Sequence, residues 1–179
     1  MTIHAMIDLE TFSTKPNAVI TSMGAIKFNP FNDQEPHEPL YIKAEVEEQT
    51  NMGRDVDDGT MAWWAKQDKA VLDEALSEDG RISIEEMTAQ LNKFLIGVDK
   101  IWAQGPVFDM VILENLYTQL GKPVPWNFWQ IRDSRTLFDL MPVDPRKEIQ
   151  QDLHNALADC YFQAKCVQKT FKALGIKGN

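Results

Sequence analysis

Residues 3–12, Ile3-His4-Ala5-Met6-Ile7-Asp8-Leu9-Glu10-Thr11-Phe12, read as a buried strand that ends by presenting two carboxylates. Side chains alternate faces along a strand, so Asp8 and Glu10, two apart, point the same way. Two acids on one face at the end of an apolar strand repel each other and lose hydration, which is costly unless a cation sits between them. An isolated Asp-x-Glu is common, and alone it describes just as well a strand that stops in solvated acids. Two acidic clusters downstream change the reading, and the fold decides whether they can reach the first.

Beyond this stretch, residues 18–29 form a second strand candidate and residues 40–45 a third, with turn material at 30–39 between them. Three strands joined by short loops predict an antiparallel meander. Residues 46–58 are acidic and polar with Gly53 and read as a loop, followed by a helical region over about 59–76 that holds Trp63 and Trp64. Ser83 with Glu86 three residues on is a capping box, after which Ile84, Met87, Leu91, Phe94 and Leu95 recur at helical spacing. Residues 101–105 make a short strand, and Pro106 suits the first position of a helix that runs to about 120 and is closed by Gly121. A short strand over 129–134 leads to a helical turn at 136–140. A Pro-bearing loop, 142–152, then precedes a last helix over 155–174 that stops at Gly175. The order predicts one α/β domain over residues 1–179: a mixed sheet, three antiparallel strands followed by parallel ones, flanked by helices.

The composition fits such a domain. The chain has 179 residues, 44% hydrophobic and 25% charged, enough to bury a full core. Its formal net charge of −9 argues against broad electrostatic attachment to duplex nucleic acid or an anionic membrane. A small nucleic-acid site whose charge is reversed locally by bound cations stays open. Cys160 and Cys166 match no metal-ligand spacing, so buried reduced thiols are expected. No run approaches the ~18 apolar residues of a membrane span, and no leader pattern precedes Asp8, so a soluble, cytoplasmic protein is expected.

The second acid is Asp109, in Gly105-Pro-Val-Phe-Asp109. With Gly105 as N-cap it lies in the first helical turn and points toward the carboxyl end of the preceding strand, where open α/β sheets place ligands. Alone it would merely offset the helix dipole. The third is Asp159, in His154-Asn-Ala-Leu-Ala-Asp159. Five apart on a continuous helix, His154 and Asp159 would diverge by about 140°. With Asn155 as N-cap, His154 stays on the loop and can reach the same cleft. His4 and His37 have no comparable neighbourhood and read as structural or surface residues.

In this order, Ile-Asp8-Leu-Glu10-Thr, Gly-Pro-Val-Phe-Asp109 and His154-Asn-Ala-Leu-Ala-Asp159 resemble the motifs of the DEDDh 3′–5′ exonucleases of the ribonuclease H-like superfamily. The likeness spans residues 3–174. It is nearest to a compact branch with phage DexA-type exodeoxyribonucleases and a mycobacterial exoribonuclease, which also carries a Trp-Trp helix, like Trp63-Trp64, and an Arg-Thr before the last motif, like Arg135-Thr136.

The resemblance implies that Asp8, Glu10, Asp109 and Asp159 hold two divalent ions, Mg²⁺ or Mn²⁺, as all-oxygen hard ligation suits those metals. Two ions ~3.5–4 Å apart would clamp the scissile phosphate. His154 would take the proton of the attacking water. The partner would be a single-stranded DNA or RNA 3′ end, shortened by nucleoside 5′-monophosphates, with DNA the leading expectation. Thr11, Phe12, Trp64, Phe108 and Arg135 are candidates to touch the substrate; Phe12 equally suits the core, Phe108 reads first as a core residue, and Arg135 equally suits a surface ion pair. An exoribonuclease, a non-catalytic metal-stabilised binding module and a mononucleotide hydrolase are the competing readings. The sequence leaves the oligomeric state open, a homodimer included.

Overall fold

The computed structural model describes residues 1–148 and 154–178. Its centre is β1 (His4–Thr11), which pairs antiparallel with β2 (Ile20–Phe28) on one side and parallel with β5 (Lys100–Ala103) on the other. β3 (His37–Ala44) continues the meander, and β4 (Arg81–Ile82) and β6 (Ile131–Asp133) form the edges. The sheet order is β4-β3-β2-β1-β5-β6, with β2 and β3 antiparallel and both edge strands parallel to their neighbours. This is the mixed sheet expected.

Strand alternation divides the core. Ala5, Ile7 and Leu9 of β1 face a layer built from α4 (Ile84–Phe94) and α5 (Pro106–Gln119), with Met87, Leu91, Ile112, Leu113 and Leu116. The opposite row faces α7 (Ala156–Leu174), where Met6 packs with Ile26, Phe28, Phe162 and Val167. Asp8 and Glu10 extend this second row past Met6, so α7 lies over them. His4 begins the row as a core residue: its Nδ1 accepts from Trp102 Nε1 at 2.9 Å, and burial lowers its pKa to about 4, leaving it neutral.

Four expectations need correction. Residues 46–51, read as loop, form α1 (Val46–Asn51), whose inward residue is the fully buried Gln49. Its side-chain amide accepts from Ile20 N–H at 2.8 Å and donates to Ile20 O at 2.7 Å, standing in for a strand partner of β2. A polar side chain doing a backbone's work leaves no apolar periodicity to read. The helical region over 59–76 is two helices, α2 (Asp58–Trp64), capped by Asp57, and α3 (Lys69–Leu76). β4 was not anticipated; its buried Arg81 donates to the carbonyls of Thr21, Ala44 and Ala75. β3 starts at His37 rather than at residue 40, because a bulge opposite Ala25–Lys27 accommodates Pro39, which has no N–H to give the ladder.

The remaining elements lie close to expectation. Gly105 precedes α5 at φ +96°, Asn155 caps α7 through the amides of Leu157 and Ala158, and Gly175 ends it at φ +67°. A 3₁₀ turn at Phe128–Gln130 precedes β6, and the helical turn is α6 (Ser134–Phe138). Of the Pro-bearing loop, 142–148 includes a 3₁₀ turn at Pro145–Glu148, and 149–152 lie outside the described residues. Among the described residues no helix is long and apolar enough to cross a membrane.

Candidate active site

Four acids converge at the carboxyl end of β1. Asp8 and Glu10 are half-buried, while Asp109 and Asp159 are 3% and 9% exposed. Asp109 reaches back from the first turn of α5, and its Oδ1 accepts the Leu9 N–H at 3.0 Å, which fixes it between the two acids of β1. Asp159 comes from the first turn of α7. That helix can approach because β2 has Gly24 there: a Cβ on Gly24 would lie 2.3 Å from the carbonyl carbon and oxygen of Ala156. Cys160, beneath the acids, donates its thiol to Gly24 O at 3.2 Å.

Crowding shows in the protonation of the group. Burial first, then the charges of Asp109, Glu10 and Asp159, push Asp8 well above the carboxylate range, against an opposing hydrogen bond from Gln163. Glu10 rises to about 8 through burial and the charges of Asp159 and Asp109. Asp109 rises to about 7, again through burial, despite the Leu9 N–H and the charge of Arg135. Such a set is stable near neutrality only if it takes up protons or a cation. Gln163 lies one turn beyond Asp159 on α7, and its buried Oε1 has no donor among the described residues. An all-oxygen set of this density fits hard divalent cations.

His154 completes the cluster. Ligand atoms of Glu10, His154 and Asp159 all lie within 4.8 Å of one another. Its ring packs perpendicular to that of Trp63, with centroids 4.8 Å apart.

Beside the acids an open groove of about 450 Å³ is lined by Leu9, Glu10, Thr14, Asp57, Thr60 and Trp63, among others. The expected substrate contacts fall unevenly around it. Phe108 is half-buried in its wall. Arg135 is exposed, with Nη2 donating to Gln104 O at 3.3 Å. Thr11 lines the groove, but it is buried and its hydroxyl donates to Ser13 O at 2.6 Å. Phe12 is turned into a small core with Val19 and Trp64, so it offers no surface to a base. Trp64 is 1% exposed, its Nε1 donating to Thr11 O at 2.9 Å; it supports the groove from below. Trp63, at 42% exposure, is the tryptophan that faces the groove. Adjacent helical residues point about 100° apart, and only the docking of α2 on β1 decides between them. Gln163, four residues after Asp159, and Gly24, alone in an apolar strand, carried signals that sequence reading passed over.

The family model described as "3'-5' exoribonuclease Rv2179c-like domain" matches residues 3–171. No curated protein matches at a significant level. Among solved structures, exonuclease X in complex with 5′ overhanging duplex DNA aligns with a TM-score of 0.62 at 18% identity, covering 96% of this chain and 92% of that one. E. coli exonuclease I in complex with a dT13 oligonucleotide aligns at 0.65 and 19% identity, covering 98% of this chain and 43% of that one. The zinc-bound form of the E. coli exonuclease I–single-stranded DNA complex aligns at 0.69 and 18% identity, again with 98% and 43% covered. The chain thus spans about two fifths of the length of exonuclease I, and these likenesses concern the fold.

Proposed function

Because this chain belongs to the Rv2179c-like 3′–5′ exoribonuclease domain family, and is a 3′–5′ exonuclease acting on nucleic acid, we propose that it removes nucleoside 5′-monophosphates one at a time from single-stranded 3′ ends with the aid of two divalent cations. The supporting observation is the convergence of Asp8, Glu10, Asp109 and Asp159, with His154 beside them, at the mouth of a groove of about 450 Å³.

In this reading the whole chain, residues 1–179, acts as a single exonuclease domain. The four acids hold Mg²⁺ or Mn²⁺, a choice that rests on their oxygen donors. Bound there, the cations supply positive charge to the scissile phosphate and make the attacking water more acidic. The chain's own residues do the rest. Asp109, anchored by the Leu9 N–H, keeps its carboxylate turned to β1. His154 accepts the proton of the attacking water through a ring nitrogen. The groove wall of Thr14, Thr60, Trp63 and Phe108 receives the terminal nucleoside and excludes bulk water from it. Arg135, near Asp109, meets a backbone phosphate.

DNA is the leading substrate, in line with the DNA complexes of the fold's solved relatives. The family description favours RNA as the second reading. The two differ by one 2′-hydroxyl, which a few polar contacts can discriminate. Incubating 5′-labelled single-stranded DNA and RNA of equal sequence with Mg²⁺ or Mn²⁺ tests both. A ladder shortening from the 3′ end is expected, and its relative rate on the two strands assigns the sugar. Internal cuts, or an intact strand under every divalent cation, would refute the exonuclease reading.

A further inference from the structure

The acids are fixed by the strand and helices that carry them, whereas His154 stands outside both. It is a non-glycine residue at φ +74°, a left-handed conformation uncommon outside glycine, though one that His, like Asn and Asp, adopts more readily than other side chains. Its imidazole meets Trp63 at an interplanar angle of 86°. Trp63 is itself seated on Trp64, with centroids 5.0 Å apart at 77°. Trp64 is tied through Nε1 to the carbonyl of Thr11, the residue that follows Glu10. Nearby, Asp57, the N-cap of α2, donates its N–H to Phe12 O at 2.8 Å. The chain of contacts therefore closes on itself: from the end of β1 to Trp64, to Trp63, to His154, and back to Glu10 within 4.8 Å. Trp64 already fills the small core beneath α2, so Trp63, still 42% exposed, is not needed there.

We infer that Trp63 is a positioning residue for His154: its indole, perpendicular to the imidazole and braced on Trp64, sets the plane in which the base meets the attacking water. The inference rests on the exonuclease reading with His154 as base. A tryptophan that only stacked on the terminal nucleobase would act on affinity instead, as aromatic platforms for single strands do.

A double-mutant cycle separates the roles. Wild type, W63A, W63F, H154A and the W63A/H154A double variant are compared in single-turnover cleavage with Mg²⁺ and in strand affinity with Ca²⁺, circular dichroism verifying the fold. Since a general base contributes on the order of 10²–10⁴-fold, W63A should slow the bound strand by about tenfold or more and W63F should restore most of it. The double variant should be no slower than H154A, because a positioning residue has nothing left to position. Should W63A fail to fold, the His154 ring protons, assigned by their loss in H154A, decide the point. They should carry a ring-current shift in wild type that W63F alters. Unshifted protons, rate losses that multiply in the double variant, or lost affinity with an unchanged single-turnover rate would each overturn the inference. An inactive wild type overturns it together with the exonuclease reading; an active wild type with multiplying losses overturns it alone.

Discussion

Asp8 and Glu10 stand in the row of β1 that packs against α7, where each additional carboxylate makes the next harder to ionise. That has a consequence for stability without metal. Glu10 titrates at about 8 and Asp109 at about 7 in the fold, above their ordinary 4.5 and 3.8. Between roughly pH 4 and 8 the folded chain therefore binds more protons than the unfolded one, and linkage makes stability fall as pH rises through that window. The melting temperature in EDTA should decline from pH 5 to pH 8. Adding Mg²⁺ should raise it most at the alkaline end, where the acids are free to bind. Asp8→Asn should stabilise the EDTA-treated protein at pH 8, because an amide there needs neither a proton taken up on folding nor a charge buried among the other acids, while abolishing turnover. Scanning fluorimetry across pH checks this, and a metal-free melting temperature that climbs between pH 5 and 8 would contradict it.

At the scale of elements, the site is a matter of how closely α7 approaches β2. Gly24 is where that is decided, since a methyl there would overlap the backbone of Ala156 and Leu157 at 2.3–2.5 Å. Gly24→Ala should force α7 outward, carrying Asp159 and His154 away from β1. A loss of about 1–3 kcal/mol is expected from overpacking, with a fall in cleavage larger than the folded fraction explains. Denaturant unfolding together with single-turnover rates measures both, and a variant of native activity would refute the close-approach argument. Much of this level was legible in the sequence. β1 announces itself by alternation, α5 by Gly105-Pro106, and α7 by the Asn155 cap and Gly175 stop. The three acidic elements could be placed because caps and alternation fix where a side chain points. α1 and β4 were not legible, because Gln49 and Arg81 hold them through polar bonds to β2 and its neighbours, and polar side chains read as surface. The choice between Trp63 and Trp64 lay beyond the sequence for a different reason. It depends on the bond from Trp64 to Thr11, 53 residues away, and no local pattern encodes it.

For the molecule as a whole, the net charge of −9 and a pI near 4.8 set how it meets a polyanion. The described lining of the groove contains two acids, Glu10 and Asp57, and no lysine or arginine. Affinity for the strand must then come from bound cations and from few side-chain contacts. For single strands the logarithm of the binding constant falls with the logarithm of salt at about −0.7 per neutralised phosphate. Arg135 is the candidate for such a contact: exposed, held against the Gln104 carbonyl, and packed 3.7–3.9 Å from where a Cβ on Gly105 would lie. Counting it as one contact, affinity measured in Ca²⁺ should weaken only about threefold between 50 and 200 mM KCl. A protein tracking the backbone with a basic stripe would lose orders of magnitude over the same range. Arg135→Ala should flatten the slope by about 0.7 and raise the half-saturating strand concentration at low salt. The rate at saturation should hold, since this guanidinium touches no reacting atom in the proposed mechanism. Fluorescence anisotropy titrations at four salt concentrations, on wild type and variant, read both slopes. A steep wild-type slope would demand a cationic track elsewhere on the surface, and an unchanged slope in the variant would take Arg135 out of phosphate contact.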